Sequence, residues 1–127
     1  MANIDLKTNL IMSGGKFRAD FSLIEFIEDG ITIFYSPALD LSGYGKTEKE
    51  AKTSFWEAMN EFFAYTFQKK TLYEVLTSLG WTIKKTKNEL KFIPPKDADL
   101  VSTNVLYNEI VNNKSYKVSR ENIEIML

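Results

Sequence analysis

The chain has 127 residues, the size of one domain, so we expect a single unit spanning residues 1–127. Sixteen basic and 17 acidic residues give a net charge of −1, which argues against a dedicated basic nucleic-acid-binding protein. The absence of cysteine excludes disulfides and a thiolate nucleophile, and the absence of histidine removes the usual general base. Because no apolar run could span a membrane and residues 1–5 do not start a signal peptide, we expect a soluble cytoplasmic protein.

The first third of the chain alternates apolar and polar residues, as β-strands do. Glu28-Asp29-Gly30 and Ser13-Gly14-Gly15-Lys16 are hairpin turns between three predicted strands, and Asp-Gly suits a type I′ turn. We therefore predict an antiparallel meander. The alternation changes phase between Leu23 and Ile24, which predicts a bulge or a bend near residues 22–24. The alternating positions that indicate the three strands are Ile4, Leu6 and Thr8, then Phe17, Ala19 and Phe21, then Ile31, Ile33 and Tyr35.

A loop and a long helix follow the predicted meander. Residues 36–46 contain Pro37 and two glycines, which predicts a loop. Thr47 and Glu50 form a capping box that begins a helix ending near Gln68. The predicted buried stripe of this helix consists of Ala51, Phe55, Ala58, Met59, Phe62 and Thr66.

Shorter elements are predicted after the long helix. Thr71 and Glu74 repeat the capping box, and Gly80 ends a short second helix. Residues 81–85 and 89–93 predict two strands of a second hairpin.

The C-terminal third continues the mixed pattern. Helical spacing predicts a helix over residues 99–113, and residues 116–125 predict one bent strand or two short ones. The expected fold class is therefore α+β: an antiparallel meander packed by a long helix, followed by a hairpin, a helix and a strand.

Carboxylates are the remaining candidates for catalysis, because a metal-dependent nuclease site needs several of them at one point. Glu57 and Glu61 lie off the apolar stripe of the long helix, which favours a solvated surface. Gly14-Gly15 and Gly43-Tyr44-Gly45 lack the spacing of a phosphate loop and are better explained as turns. We expect no catalysis, no metal and no cofactor. The carboxylates considered are Asp5, Asp20, Asp40, Glu57 and Glu61.

The second hairpin carries an uneven charge, with five lysines against one glutamate over residues 81–96. Lysines beside Trp81 and Phe92 could hold a nucleic-acid backbone and stack bases. Exposed strands are also often rich in lysine simply to block unwanted pairing, and Trp81 follows a helix end where a core aromatic is expected. The residues of the nucleic-acid hypothesis are Trp81, Lys84, Lys85, Lys87 and Lys91.

A resemblance to a known family lies within about residues 15–70. Its members have a strand, a loop with proline and Asp-Leu that ends in glycine, and a helix start of the form Thr-x-x-Glu-Ala. The matching residues are Ile31-Thr32-Ile33-Phe34-Tyr35-Ser36-Pro37-Ala38-Leu39-Asp40-Leu41-Ser42-Gly43-Tyr44-Gly45 and Thr47-Glu48-Lys49-Glu50-Ala51. This stretch resembles the HicB antitoxin family, in which Asp-Leu-Pro-Gly commonly stands where this chain has Asp40-Leu41-Ser42-Gly43.

The resemblance implies a degenerate ribonuclease-H-like fold without the nuclease carboxylates. It also implies that the protein masks HicA, a small basic toxin that cleaves messenger RNA. In the wider family a DNA-binding module follows this domain. From about residue 81 the chain departs from that pattern, so an orphan member with another partner is an open alternative.

Protein binding and nucleic-acid binding are therefore the two competing functions. For protein binding, the loop from Ser36 to Lys46 would cover a small basic partner, while a loop that only closes the sheet is the plain alternative. We also expect a homodimer, because apolar residues of the long helix exceed one face and residues 115–126 form a free β-forming run. The expected partner contacts are Tyr35, Asp40, Leu41 and Tyr44.

Overall fold

The computed structural model describes residues 16–85 and 90–126, which form an α+β fold. Four strands form an antiparallel sheet in the order β3-β2-β1-β6, and β4 and β5 form a separate two-stranded hairpin. The predicted fold class is confirmed. The strands are β1 Lys16–Glu28, β2 Ile31–Ser36, β3 Leu41–Gly45, β4 Thr82–Lys85, β5 Leu90–Ile93 and β6 Tyr116–Met126. The helices are α1 Glu48–Gln68, α2 Leu72–Ser78, α3 Asp97–Thr103 and α4 Val105–Asn113.

The meander consists of β1, β2 and β3. The β1–β2 turn has positive φ at Asp29 (52°) and Gly30 (77°), as a type I′ turn requires. The loop predicted over residues 36–46 is wrong for residues 41–45, because pairing with β2 makes a strand of a glycine-rich sequence with little β propensity. The predicted strand at Ile4, Leu6 and Thr8 lies outside the described residues.

The change of phase in β1 arises because different helices pack on the two faces of the sheet, and not because of a bulge. β1 pairs with β6 in one uninterrupted register, so the predicted bulge is wrong. Phe17 and Phe21 pack against rings of α1, on what we call the α1 face of the sheet. The opposite face of the sheet faces α3 and α4, and we call it the α4 face. There the Ser22 hydroxyl donates to the Asp97 carboxylate of α3 at 2.7 Å. β1 therefore buries odd positions first and even positions later.

α1 begins where the capping box predicts. The Thr47 hydroxyl accepts from the Glu50 amide at 3.1 Å, and the Glu50 carboxylate accepts from the Lys46 amide at 3.0 Å. Two amides without a partner inside the helix are thereby satisfied, which explains the sharp start of the helix.

The buried stripe of α1 differs from the prediction in its last turns. Phe63 is buried and Phe62 is only partly buried, because Phe63 packs on Phe17 of β1 with ring centroids 4.6 Å apart. Ala58 is also only partly buried. Trp56 and Phe67 pack against the core of the same chain, so the surplus apolar surface of α1 does not require a partner.

α2 and the second hairpin follow the predicted order. Gly80 ends α2 with φ +98°, a backbone that favours glycine. The second capping box is wrong, because the Thr71 side chain does not cap α2 and instead donates to the Thr66 carbonyl at 3.5 Å. β4 and β5 pair as predicted, and the turn at residues 86–89 lies outside the described residues.

The helix predicted over residues 99–113 is two helices. Asn104 separates α3 from α4 with an extended backbone, and its side-chain oxygen accepts from the Tyr107 amide at 2.9 Å. This asparagine is therefore an N-cap rather than an interior helix residue. β6 is one strand, paired along its length with β1, so the expectation of a free C-terminal run is wrong for that side of the strand.

Candidate functional site

β3 lies directly beneath α1. A side-chain carbon added to Gly43 would stand 2.1 Å from the Phe55 amide nitrogen, and one added to Gly45 would stand 2.6 Å from the Ala51 nitrogen. Both glycines are in the strand with φ outside the positive range, so the predicted role of this pair in a turn is wrong. Their function is to let helix and strand approach closely.

The four predicted contact residues are not on one surface. Leu41 pairs opposite Ser36 on the α1 face, whereas Tyr44 pairs opposite Ile33 on the α4 face. Side chains of a strand alternate between faces, so positions 41 and 44 must point in opposite directions. Leu41 is partly buried. It therefore cannot contact the same partner surface as Tyr44.

Tyr35 is a buried structural residue rather than a surface contact. Its hydroxyl donates to the Asp40 carboxylate at 2.8 Å and accepts from the Asn104 side-chain amide at 2.8 Å. Burial raises the pKa of Tyr35, the Asn104 bond lowers it, and the Asp40 bond raises it further, so the hydroxyl stays protonated. The Tyr35 prediction is wrong as a partner contact, because this network joins β2 to the α3–α4 junction.

Asp40 is held in an unusual conformation by the same network. Its φ is +54°, in the left-handed region that aspartate tolerates better than most residues. The residue remains exposed although one carboxylate oxygen binds Tyr35. The other oxygen can therefore face a basic side chain of a partner.

Tyr44 is the exposed aromatic residue of β3. Its side chain is 61% exposed and lies next to partly buried Ile33 on the α4 face. Its backbone amide donates to the Ser54 hydroxyl of α1 at 3.2 Å, which fixes the strand edge. We call Asp40, Tyr44 and Ile33 the β3 surface.

The chain around the β3 surface is acidic. Residues 25–61 contain eight acidic residues and three lysines, a net charge of −5 in a protein whose net charge is −1. Glu25 of β1 and Glu48 of α1 lie close enough to hydrogen-bond. Burial raises the pKa of Glu25, and the Glu48 carboxylate raises it further. An excess of negative charge attracts basic partners and speeds their association.

Trp81 is a core residue. It is 3% exposed, its indole N–H donates to the Ala38 carbonyl at 2.7 Å, and its ring lies 5.4 Å from that of Phe17. The prediction that Trp81 stacks nucleic-acid bases is therefore wrong for this structure. The indole instead ties the second hairpin to the segment that leads into β3.

The lysines of the hairpin are only partly described. Lys84 and Lys91 are directly opposed on neighbouring strands and both are exposed. Lys87 lies outside the described residues, and the side chain of Lys85 is not described. Two adjacent lysines without an exposed aromatic beside them fit a solvated hairpin surface better than a base-stacking site.

The carboxylates considered for catalysis do not converge where they are described. Asp20, Asp40, Glu57 and Glu61 are all exposed, and Asp5 lies outside the described residues. Across residues 16–85 and 90–126, no group of three or more acidic side chains could hold a metal ion. Within the same ranges, no helix has both the length and the apolar character needed to cross a membrane.

Sequence reasoning missed Asn104 and Ser54, the two residues that fix the β3 surface from outside it. Asn104 carried a readable signal, since asparagine is one of the residues preferred at a helix N-cap. Ser54 carried none, because its bond to Tyr44 depends on how α1 lies across β3. Searches of the chain against family models, curated proteins and solved structures found no match.

Proposed function

We propose that this cytoplasmic protein is a non-catalytic binding protein that resembles a HicB antitoxin and masks a small basic ribonuclease toxin of the HicA kind. One observation carries the proposal: Tyr44 is exposed on a strand fixed by α1, within a stretch of chain with a net charge of −5. Exposed tyrosines on rigid elements are frequent anchors of protein interfaces.

The chemistry of the β3 surface fits a basic protein partner. Tyr44 offers a large contact area at a low cost in side-chain entropy, and Ile33 beside it adds apolar surface. Asp40 offers a carboxylate to an arginine or lysine, and its orientation is set in advance by Tyr35. A partner that binds this surface would displace water from it. The partner would pack against the aromatic side chain at the centre and form ion pairs at the rim.

The nucleic-acid alternative has weaker support. It requires the hairpin lysines to act without Trp81, which is buried. Lys84 and Lys91 retain the exposed positive charge that phosphate binding needs. An experiment must therefore separate nucleic-acid binding from protein binding. Phosphate binding weakens steeply with salt, whereas an interface anchored by an aromatic residue weakens much less.

The test is co-expression of the tagged protein with any small basic protein encoded beside it, followed by co-purification. We expect a stable complex with the wild type and loss of at least nine-tenths of the partner with the double variant Asp40→Asn, Tyr44→Ala. The asparagine introduced at position 40 keeps an acceptor for Tyr35 and tolerates positive φ, so the fold is preserved.

Tyr65→Ala is the matched control, because Tyr65 is also 61% exposed but lies on α1 away from the β3 surface. Equal loss of partner in the control and in the double variant would contradict the role of the β3 surface. The proposal would be replaced by nucleic-acid binding if no neighbour co-purifies and the protein alone binds RNA or DNA. That binding would have to fall steeply with salt and disappear in Lys84→Glu, Lys91→Glu.

A further inference from the structure

β6 is the long outer edge of the four-stranded sheet. It spans 11 residues and pairs with β1 on one side only, and no strand in the described part of the chain pairs with its outer side. The strand contains no proline and its register with β1 has no bulge. Such edges are templates for another strand unless they are short, charged, bulged or covered.

The opposite edge of the sheet is protected in two of these ways. β3 has only five residues, and the Ser54 side chain of α1 accepts from the Tyr44 amide. Among the described residues β6 is neither short nor covered. Its charged side chains are of both signs, so they can pair with those of an identical strand: Lys117, Arg120, Glu121 and Glu124. It also exposes apolar side chains beside the edge, since Val118 is 51% and Tyr116 is 38% exposed. The two edges therefore differ in what they can bind.

We propose that a second copy of this chain pairs with β6 in an antiparallel manner, across a two-fold axis at Asn122, and joins two four-stranded sheets into one of eight strands. A two-fold pairing of identical edges is closed and self-complementary, so it makes a dimer and not a fibre. This inference is independent of the proposed function, because the β3 surface lies at the other edge of the sheet.

The position of the axis follows from the charges along β6. A two-fold axis perpendicular to the sheet keeps the faces of the two copies continuous, so each axis position falls on a residue that opposes itself. An axis at Arg120 or Glu121 would place two like charges directly opposite each other, which destabilises the pairing. An axis at Asn122 opposes two amides that can hydrogen-bond to each other.

The Asn122 register also creates two opposite-charge pairs. Arg120 then lies opposite Glu124 of the partner subunit, and the symmetry produces the same pair a second time. The Arg120 and Glu124 side chains are 58% and 42% exposed although Arg120 contacts Asp97 and Glu124 contacts Arg18, so both still present charge to the solvent. The overlap covers positions 118–126.

A competing register has its axis at Ser119. It brings Lys117 opposite Glu121 of the partner subunit, but the overlap shortens to positions 116–122. Glu121 pairs with Lys52 of its own chain and is only 20% exposed, against 42% for Glu124, so it presents less of its carboxylate to a partner subunit. The Asn122 register is therefore the favoured one.

Single cysteines distinguish these registers, since the chain has no cysteine of its own. In the proposed dimer the cysteine of the Asn122→Cys variant lies opposite its own copy, with β-carbons about 5 Å apart. The cysteine of the Ser119→Cys variant lies six residues from its copy along the strands, about 20 Å. We expect a short thiol–thiol crosslinker to give at least about five times more covalent dimer with Asn122→Cys. The reverse ratio, or equal low yields, would overturn the proposal.

Charge reversal gives an independent measurement by sedimentation. Arg120→Glu or Glu124→Arg alone places like charges opposite each other at two points, so we expect the dimer Kd to rise about ten-fold, and the double variant should restore it. Lys84→Glu makes the same kind of charge reversal on the second hairpin, which does not belong to the four-stranded sheet, and should leave the Kd unchanged.

A wild type that remains a monomer at about 100 µM would refute the second-copy proposal, as would a double variant no better than the single ones. If a charge variant fails to fold through loss of its contact to Asp97 or Arg18, the Asn122→Cys crosslink decides, because that substitution leaves both contacts intact.

Discussion

Gly43→Ala tests how closely α1 lies on β3. The new methyl carbon would stand 2.1 Å from the Phe55 nitrogen, 2.5 Å from the Phe55 α-carbon and 2.8 Å from the Ala51 carbonyl oxygen, whereas ordinary contacts begin at 3.4 Å. All three obstacles are backbone atoms, which cannot rotate away as a side chain would. α1 would have to retreat by more than 1 Å, and it would loosen the fully buried Phe55 and Ala51 side chains.

The expected cost is at the upper end of that measured for overpacked cores, about 3 kcal/mol. For a domain of this length that corresponds to a fall in Tm of about 10 °C. Urea unfolding followed by circular dichroism measures both the midpoint and the slope, so a change in stability is separated from a change in compactness.

Two controls define the mechanism. Gly30→Ala adds a methyl carbon with nothing within 4 Å at a φ of +77°, so it should cost only the backbone strain, about 1–2 kcal/mol. Ser42→Ala changes the opposite face of the same strand and should change the stability by less than about 0.5 kcal/mol. A Gly43→Ala protein as stable as the Ser42→Ala protein would show that helix and strand are farther apart than described.

Four further substitutions test other contacts of the described residues. Phe63→Ala should lose about 3–5 kcal/mol on chemical unfolding and Phe62→Ala less than half of that, and the opposite order would restore the stripe predicted from sequence. Tyr35→Phe should cost about 1–2 kcal/mol, because it leaves a carboxylate and a side-chain amide without their partner; an unchanged urea midpoint would refute this role. The pKa of Glu25 is raised in the folded state, so its favourable contribution is present below the unfolded pKa and is lost as the pH rises through the folded pKa. Glu25→Gln should therefore have a higher Tm than the wild type at pH 7 but not at pH 4, and a difference that does not change with pH would contradict the assignment.

Local signals in the sequence determined much of the fold. The Thr47–Glu50 capping box, the Asp29-Gly30 turn and the Gly80 helix end were all readable, because each depends on residues within a few positions of one another. The α+β class also followed from these signals, since the long helix and the two strands before it have clear and different periods.

The candidate site was less predictable. Asp40 and Tyr44 are exposed as expected, but Tyr35 is buried and Leu41 is on the opposite face. The loop sequence gave no indication of β3, because a strand of five residues with two glycines has no intrinsic preference to be one.

Tertiary structure alone decided which face of each element is covered. β1 changes its buried face midway because α1 and the second hairpin cover one side of the sheet while α3 and α4 cover the other, and a single sequence shows this only as a break in period. The sequence left both a core position and a base-stacking role open for Trp81, and its contacts with Phe17 and the Ala38 carbonyl place it in the core. The sequence predicted a turn at Gly43 and Gly45, whereas in the structure both glycines lie in a strand that packs directly against α1. Turns and helix caps depend on residues within a few positions of one another and can be read from the sequence, whereas packing joins residues that are far apart along the chain.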